Sequence, residues 1–351
     1  MYSQSPTGIA PVLQVHPSRR CNIACAHCYS LSGPGAREEI SWEILATCIE
    51  DAVDLGYEQI AVSGGEPLLY KPLAKLLSHA REHGMVVTLT SNGMLITPDL
   101  WEPLAPLVDV VAISIDGTAL EHDQMRGLDG AFDCTVANLK VLHSSKVPFG
   151  FIFTLTQHNV GSLEFVVRLA AEHGARSVQV HPLTLHGRAK RMLSSAQPDS
   201  TELLAALLEA SRLGEDLGVS VHVDALTVSQ LLKYRDHVVP QRPVKQLSAV
   251  APVLIVQANA QVLPLTHEID STLTLGSLNA ARLSLLAQAW IVAGCGDTLA
   301  AACEQTWDDV TGLNQELALY WYEEVAMRTK GHAPSGVTSS FGRSRVMSQR
   351  A

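Results

Sequence analysis

The sequence predicts an α/β protein: a parallel sheet of strand–helix units, then a smaller α+β region. Three observations predict it. Short β-branched apolar runs alternate with longer amphipathic ones through the first two-thirds of the chain. A helix–glycine–strand punctuation recurs at Gly56, Gly84, Gly174 and Gly218, with units about 25–35 residues long, the size of one crossover. The strands are near-continuous apolar runs, as in a parallel sheet covered by helices through right-handed crossovers. Six such units favour a barrel or partial barrel over an open sheet, and sequence alone leaves both open. In either case ligands belong at the C-terminal ends of the strands.

The elements follow in order. Val12–His16 is the first strand. Trp42–Leu55 is a helix because Ile44, Leu45, Cys48, Ile49, Ala52 and Val53 recur near helical spacing, with Ser41 as N-cap and Gly56 as stop. Gln59–Ser63 is a strand, Leu73–His83 a helix and Met85–Thr90 a strand. Pro98–Leu107 is a short helix broken by Pro103 and Pro106. Asp109–Ile115 and Phe149–Leu155 are buried strands flanking a helix at Phe132–Ser144. Leu163–His173 leads through Gly174 to a strand at Ser177–His181, and Leu203–Leu213 with Val219–Val223 adds one more unit.

The pattern changes near Pro240, Pro243 and Pro252. Val253–Gln257 and Gln261–Leu265, joined by Ala258-Asn259-Ala260, form a predicted hairpin. Helices are expected at Leu278–Ala293, Leu299–Thr306 and Leu313–Arg328. The division is therefore an N-terminal segment at 1–11, a barrel unit at 12–236, an extension at 237–328 and a polar, disordered tail at 329–351.

Composition bounds the function. The 351 residues are 47% apolar and 17% charged, so the chain can bury a sizeable core. A net charge of −10 argues against a general grip on nucleic-acid phosphates. No apolar run approaches the ~18 residues of a membrane span, and the first residues lack a secretory pattern. The expected setting is cytoplasmic. Seven cysteines are far too few for a disulfide scaffold, and clustered ones then point to metal.

Cys21-Asn-Ile-Ala-Cys25-Ala-His-Cys28 follows directly on the first strand. An eight-residue loop can wrap three thiolates onto a cube-shaped iron–sulfur cluster and leave one iron open. Zinc usually takes four ligands in paired CxxC units. Cys48 and Cys134 sit inside amphipathic helices and read as core.

This CxxxCxxC, with Tyr29 after it, resembles the radical SAM superfamily. His27 stands where that family usually has an aromatic residue. The resemblance implies a partial (β/α)6 TIM-type barrel with a small α+β C-terminal domain. It also implies one [4Fe-4S] cluster on Cys21, Cys25 and Cys28, whose open iron is chelated by S-adenosylmethionine. Ser63-Gly64-Gly65-Glu66-Pro67 looks like the family's GGEP motif, with Gly64 and Gly65 allowing close backbone approach and Glu66 accepting from the methionyl ammonium. Thr90-Ser91-Asn92-Gly93 matches a family turn, which implies a cofactor contact at Asn92. Ser114-Ile115-Asp116-Gly117 places Ser114 and Asp116 among the cofactor contacts. His122, Asp123 and Met125-Arg126-Gly127 match an HDxxRG pattern, in which Arg126 offers a fork to the cofactor carboxylate. Thr154 and Val180–His181 are expected near ribose and adenine.

The family's chemistry is reductive cleavage of the sulfonium to methionine and a 5′-deoxyadenosyl radical, which abstracts hydrogen from a substrate carbon. The cofactor supplies the reactivity, so no catalytic side chain is assigned. The run Ser114–Gly130 and the Gly187-Arg188-Ala189 segment are most similar to the subgroup that modifies ribosomal peptides and tetrapyrroles. Leu275-Gly276-Ser277-Leu278 and the hairpin before it resemble that subgroup's SPASM/twitch-like extension. Pro264-Leu265-Thr266 stands where a Pro-Cys is expected, and only Cys295 and Cys303 remain. The extension is therefore expected to lack an auxiliary cluster.

The expected substrate is a ribosomally made peptide, with a small molecule (sugar nucleotide, nucleoside or tetrapyrrole carboxylate) as alternative and a non-catalytic iron–sulfur protein as the remaining reading. A flavodoxin- or ferredoxin-type one-electron donor is implied. With no separate leader-recognition module in view, a leader-binding partner protein is a further expectation.

Overall fold

The structure is a computed structural model that describes residues 10–313 and 315–331. The barrel half runs β1 (Val12–Val15), α1 (Trp42–Asp54), β2 (Gln59–Val62), α2 (Leu73–Glu82), β3 (Val86–Ser91), α3 (Pro98–Trp101) and β4 (Val110–Ser114). It continues through α4 (Ala119–Arg126), α5 (Ala131–Ser145), β5 (Phe149–Leu155), α6 (Leu163–Glu172), β6 (Ser177–Pro182), α7 (Ala189–Met192), α8 (Ser200–Leu217) and β7 (Ser220–Val223). The remainder comprises β8 (Leu226–Thr227), α9 (Val228–Lys233), α10 (Arg235–Val238), α11 (Leu247–Val250), β9 (Val253–Val256), β10 (Gln261–Pro264) and β11 (Gly276–Ser277). Then come α12 (Leu283–Val292), α13 (Cys295–Thr311), β12 (Ala318–Leu319) and α14 (Trp321–Thr329).

Local rules act where they were expected. Ser41 accepts from the Ile44 amide at the start of α1, and Gly56 turns left-handed (φ 87°) after its end. β1 through β7 lie side by side and parallel, in chain order, and the sheet does not close. It is a partial barrel. The predicted hairpin β9–β10 forms, but not as a separate sheet: β9 pairs parallel with β1, Val12 opposite Val253. Tyr57 reinforces this seam by donating to the Ala251 carbonyl at 2.8 Å, and one apolar core runs across it.

One helix is unforeseen and three expectations change. The Ser114–Gly130 segment contains α4, whose polar sequence shows no apolar stripe but whose Thr118/Glu121 capping box starts a helix. Pro98–Leu107 divides into α3 and a 3₁₀ turn at Ala105–Leu107. α12 begins only at Leu283, and α13 is longer than expected. The helix expected at Leu313–Arg328 is instead the short strand β12 followed by α14. Residues 1–9 of the N-terminal segment and residues 332–351 of the tail lie outside the described residues; Thr329, where the tail was expected to begin, closes α14.

Register decides what lines the barrel. Leu13, Ile60, Val87, Val111, Phe151 and Val178 share one face and are fully or almost fully buried. The opposite face carries Gln14, Ala61, Thr88, Thr90, Ala112, Ser114, Thr154, Gln179 and His181. Barrel interiors are ordinarily filled by bulky aliphatic layers. Small and polar residues here leave the interior suited to a ligand.

Among the described residues no single helix is long and apolar enough to cross a membrane; α12 and α13 together meet that length and composition but bend by 67°.

Candidate functional site

The β1 exit leads into the three-cysteine loop, which is tied on every side. The Ala26 amide donates to the Met125 carbonyl at 2.8 Å. Asn92 Nδ2 donates to Asn22 Oδ1 at 2.8 Å and approaches Cys21 Sγ at 3.9 Å. The Ser32 amide donates to Cys28 Sγ at 3.3 Å. Arg188 reaches from the loop after β6: its amide donates to the Cys28 carbonyl at 2.9 Å, and its guanidinium to the Ser32 and Cys25 carbonyls. Gly187 makes this possible, because a Cβ there would lie 2.4 Å from the Tyr29 carbonyl oxygen, at φ +58°.

Glu66 sits beside this loop, 2% exposed. It accepts from Ser91 Oγ at 2.9 Å, from the Asn92 amide at 3.0 Å and from the Leu68 amide at 3.3 Å. Burial pushes its carboxyl up to about 7 despite these donors. What demands glycine at Gly64 and Gly65 is the chain itself: a Cβ would meet His16 at 2.7 Å and the Arg20 carbonyl at 2.2 Å.

Asp116 and Arg126 form a buried ion pair at 2.7 Å. Asp116 also accepts from the Thr154 amide at 3.1 Å, and its own amide donates to His122 Nδ1 at 3.2 Å. Burial alone would raise the Asp116 carboxyl, but the Arg126 charge and the neighbouring histidines outweigh it and hold it below the ordinary value. Arg126 approaches Cys25 Sγ at 3.9 Å. So Asn92, Asp116, Arg126 and Thr154 gather around the cysteine loop, and Ser114 lies on the interior face of β4. Val180 does not join them. Its side chain is fully buried on the helix-facing side, and its carbonyl accepts from the Asp224 amide at 2.9 Å. Strand alternation turns the Val180 side chain outward, so any contact with a cofactor there would be made by its backbone.

Sequence reasoning missed most of a second group, having singled out only Tyr29 and His181 of it. His267 stacks on Tyr29, His16 and His186 with ring centroids 4.7, 5.2 and 5.6 Å apart. Burial, with help from Arg19, lowers His16 to about 3, and burial lowers His267 as well, so both are neutral imidazoles. His186 hydrogen-bonds Glu268, which also pairs with Lys330. His181 and Gln179 both reach Asp224 at the β7 exit. Apart from the run containing Arg188, only chain proximity to a strand end could have flagged any of these.

Comparison with known proteins accounts for the first group. Residues 15–170 match the Radical SAM superfamily. This stretch is a radical SAM domain. Fe-coproporphyrin III synthase of Methanosarcina barkeri is 30% identical over 217 residues, 61% of this chain and 54% of that protein. PqqA peptide cyclase of Ruegeria pomeroyi is 29% identical, covering 60% and 58%. The chain thus spans about half the length of the curated relatives it matches. A solved structure of native anSMEcpe with bound AdoMet aligns over 91% of this chain and 96% of that one, with TM-score 0.60 and 16% identity. Streptococcus suis SuiB bound to precursor peptide SuiA gives TM-score 0.58 at 15% identity over 74% and 61%. These two likenesses establish the fold.

The domain implies a [4Fe-4S] cluster and S-adenosylmethionine, and the residues fit both. Burial and mutual repulsion raise the Cys21 thiol to about 12, so a cationic centre is needed to hold this set ionised. Buried His27 Nδ1 and Arg126 Nε also lack hydrogen-bond partners among the described residues, leaving polar capacity beside the loop.

Proposed function

We propose that the chain is a radical SAM enzyme acting on a ribosomally synthesised peptide. Cys21, Cys25 and Cys28 would hold the cluster, and the cysteine loop braced against Glu66, Asn92 and Arg126 is the observation that carries this reading. The bound cluster and S-adenosylmethionine would supply one-electron cleavage to a 5′-deoxyadenosyl radical that takes hydrogen from a substrate carbon. The chain's own part is positional. Glu66 offers a buried carboxylate to an ammonium, and a cation there would hold it ionised despite its raised value. Ser114 and Thr154, on the interior face, are placed to orient ribose. The Asp116–Arg126 pair holds Cys25 and the β5 exit together. Residues 12–236 would act as the radical SAM unit and 237–328 as a cluster-free extension. Cys295 and Cys303 begin and continue one helix, about 12 Å apart by helical rise, too far to share a disulfide.

Relatives named as peptide cyclase and maturase support the peptide reading. Relatives named as tetrapyrrole enzymes support a second one, a tetrapyrrole carboxylate. An acidic one-electron donor could dock over the cavity of about 450 Å³ outside the cysteine loop, where Arg37 and Arg188 join Arg19, itself paired with Glu38. A leader-binding partner and a cytoplasmic setting complete the proposal.

Anaerobically reconstituted protein with dithionite and S-adenosylmethionine should yield 5′-deoxyadenosine; none at all would refute enzymatic function. Titration with iron coproporphyrin separates the substrate readings. A saturable shift of its main absorption band favours the tetrapyrrole, and an unshifted band favours the peptide.

A further inference from the structure

Apart from the cysteine loop, the helical layer brings together three other ligating side chains on α1 and α2. They are Glu50 on α1, His79 in the last turn of α2 and His83 at its C-cap. One ligand atom from each lies within 4.8 Å of the other two. The four-residue spacing puts both imidazoles on one helix face, with ring centroids 4.3 Å apart.

The local bonding leaves this trio unfinished. His79 Nε2 faces Glu50 Oε1 at 3.6 Å, beyond hydrogen-bond length, and is buried with no hydrogen-bond partner among the described residues. A buried nitrogen in that position asks for a missing partner, and an ion is one such partner. The Nδ1–H of His83 donates to the His79 carbonyl at 2.8 Å. That bond fixes the tautomer and leaves the lone pair on Nε2, as in many metal-binding histidines. Trp42 packs edge-on against His79 at 5.4 Å and holds its ring. The neighbouring cation, Arg282, lies 3.6 Å from the other Glu50 oxygen, Oε2. It is committed to Asp51, at 2.6 and 3.3 Å, so Glu50 Oε1 stays available.

We propose that Glu50, His79 and His83 bind a divalent transition-metal ion of the nickel–zinc class, bracing α1 against α2. Two imidazoles and one carboxylate suit nickel, copper or zinc; magnesium and calcium prefer all-oxygen sets. His83 is exposed and Glu50 partly so, which gives an ion a way in and leaves its other positions to water. The site is independent of the radical chemistry proposed above.

The test is Ni²⁺ titration of the cluster-loaded protein under anaerobic conditions, read by equilibrium dialysis and by melting temperature. One Ni²⁺ per chain should bind and raise the melting temperature. His83→Ala and Glu50→Gln should each weaken that binding at least tenfold and remove the rise, with iron content and 5′-deoxyadenosine formation unchanged. His79→Ala should do the same, and the exposed His83 keeps the test decisive if that half-buried variant folds poorly. Equal Ni²⁺ affinity in wild type, His83→Ala and Glu50→Gln would overturn the site, as would the absence of saturable binding to wild type.

Discussion

At the exits of β1 to β4, the polar side chains of interest are almost wholly buried. Glu66, Asp116 and Arg126 are 2%, 1% and 6% exposed. Around the exits of β6 and β7 the polar groups are half open: the side chains of His181 and Asp224 are 43% and 27% exposed, and those of His186 and Glu268 are both 28% exposed. The first region is a preformed cradle, suited to a cofactor that is the same in every turnover. The second is more open to solvent, as a surface meeting a particular substrate would be.

The sharpest break of this contrast is Cys28→Ala. It removes one of three proposed ligands and should abolish both the brown colour and 5′-deoxyadenosine formation. Retention of cleavage would show that the cradle is not what holds the cluster. Iron analysis of the reconstituted wild type sharpens it further. About four irons per chain are expected for one [4Fe-4S] cluster; about eight would place a second cluster in the extension.

The next effect concerns Asp116 and Arg126. Removing one partner leaves an uncompensated buried charge, so Asp116→Asn or Arg126→Met alone should cost about 3–5 kcal/mol. Changing both should cost less than the sum, and denaturant unfolding of the three variants measures the coupling. Additive losses would mean that the pair is not the unit described here.

The cradle was legible in the sequence because each of its parts is a short run: CxxxCxxC, SGGEP, TSNG and HDxxRG all follow predicted strand or loop positions. The helix carrying Arg126 was not, since Glu121, His122 and Asp123 mask any apolar period and only the Thr118/Glu121 box signals it. The second region was largely illegible for a different reason. His186 and Glu268 are 82 residues apart, and Tyr29 meets His267 only because β9 docks on β1. Nothing local at His267 announces that stack. The outward turn of the Val180 side chain follows from an alternation that the strand pattern itself contains.

Gly187 joins the two regions, and its substitution should have an intermediate effect. Alanine there must hold a left-handed backbone against the Cys28 and Tyr29 carbonyls, 2.5 and 2.4 Å from its Cβ. Strain of this kind costs roughly 1–3 kcal/mol. Gly187→Ala should lower the melting temperature and the iron retained per chain together. A fall in melting temperature alone would detach Arg188 from any part in holding the cysteine loop.

The smallest effect is a pH dependence confined to the open region. The hydrogen bond from His186, opposed by burial and aided by Lys330, lowers Glu268 from the ordinary 4.5 to about 2. A carboxylate whose folded value is depressed adds stability that is complete above its unfolded value and lost as pH falls through its folded one. The window is therefore about 4.5 down to about 2, and pH changes nearer neutrality should leave this contribution untouched. Wild type and Glu268→Gln should differ in urea midpoint at about pH 6, and the gap should narrow as the solution is taken below about pH 4.5. Measuring the two side by side cancels the acid sensitivity they share. A gap that stays constant down to about pH 3 would mean that Glu268 ties the segment after β10 to α14 by shape and not by charge.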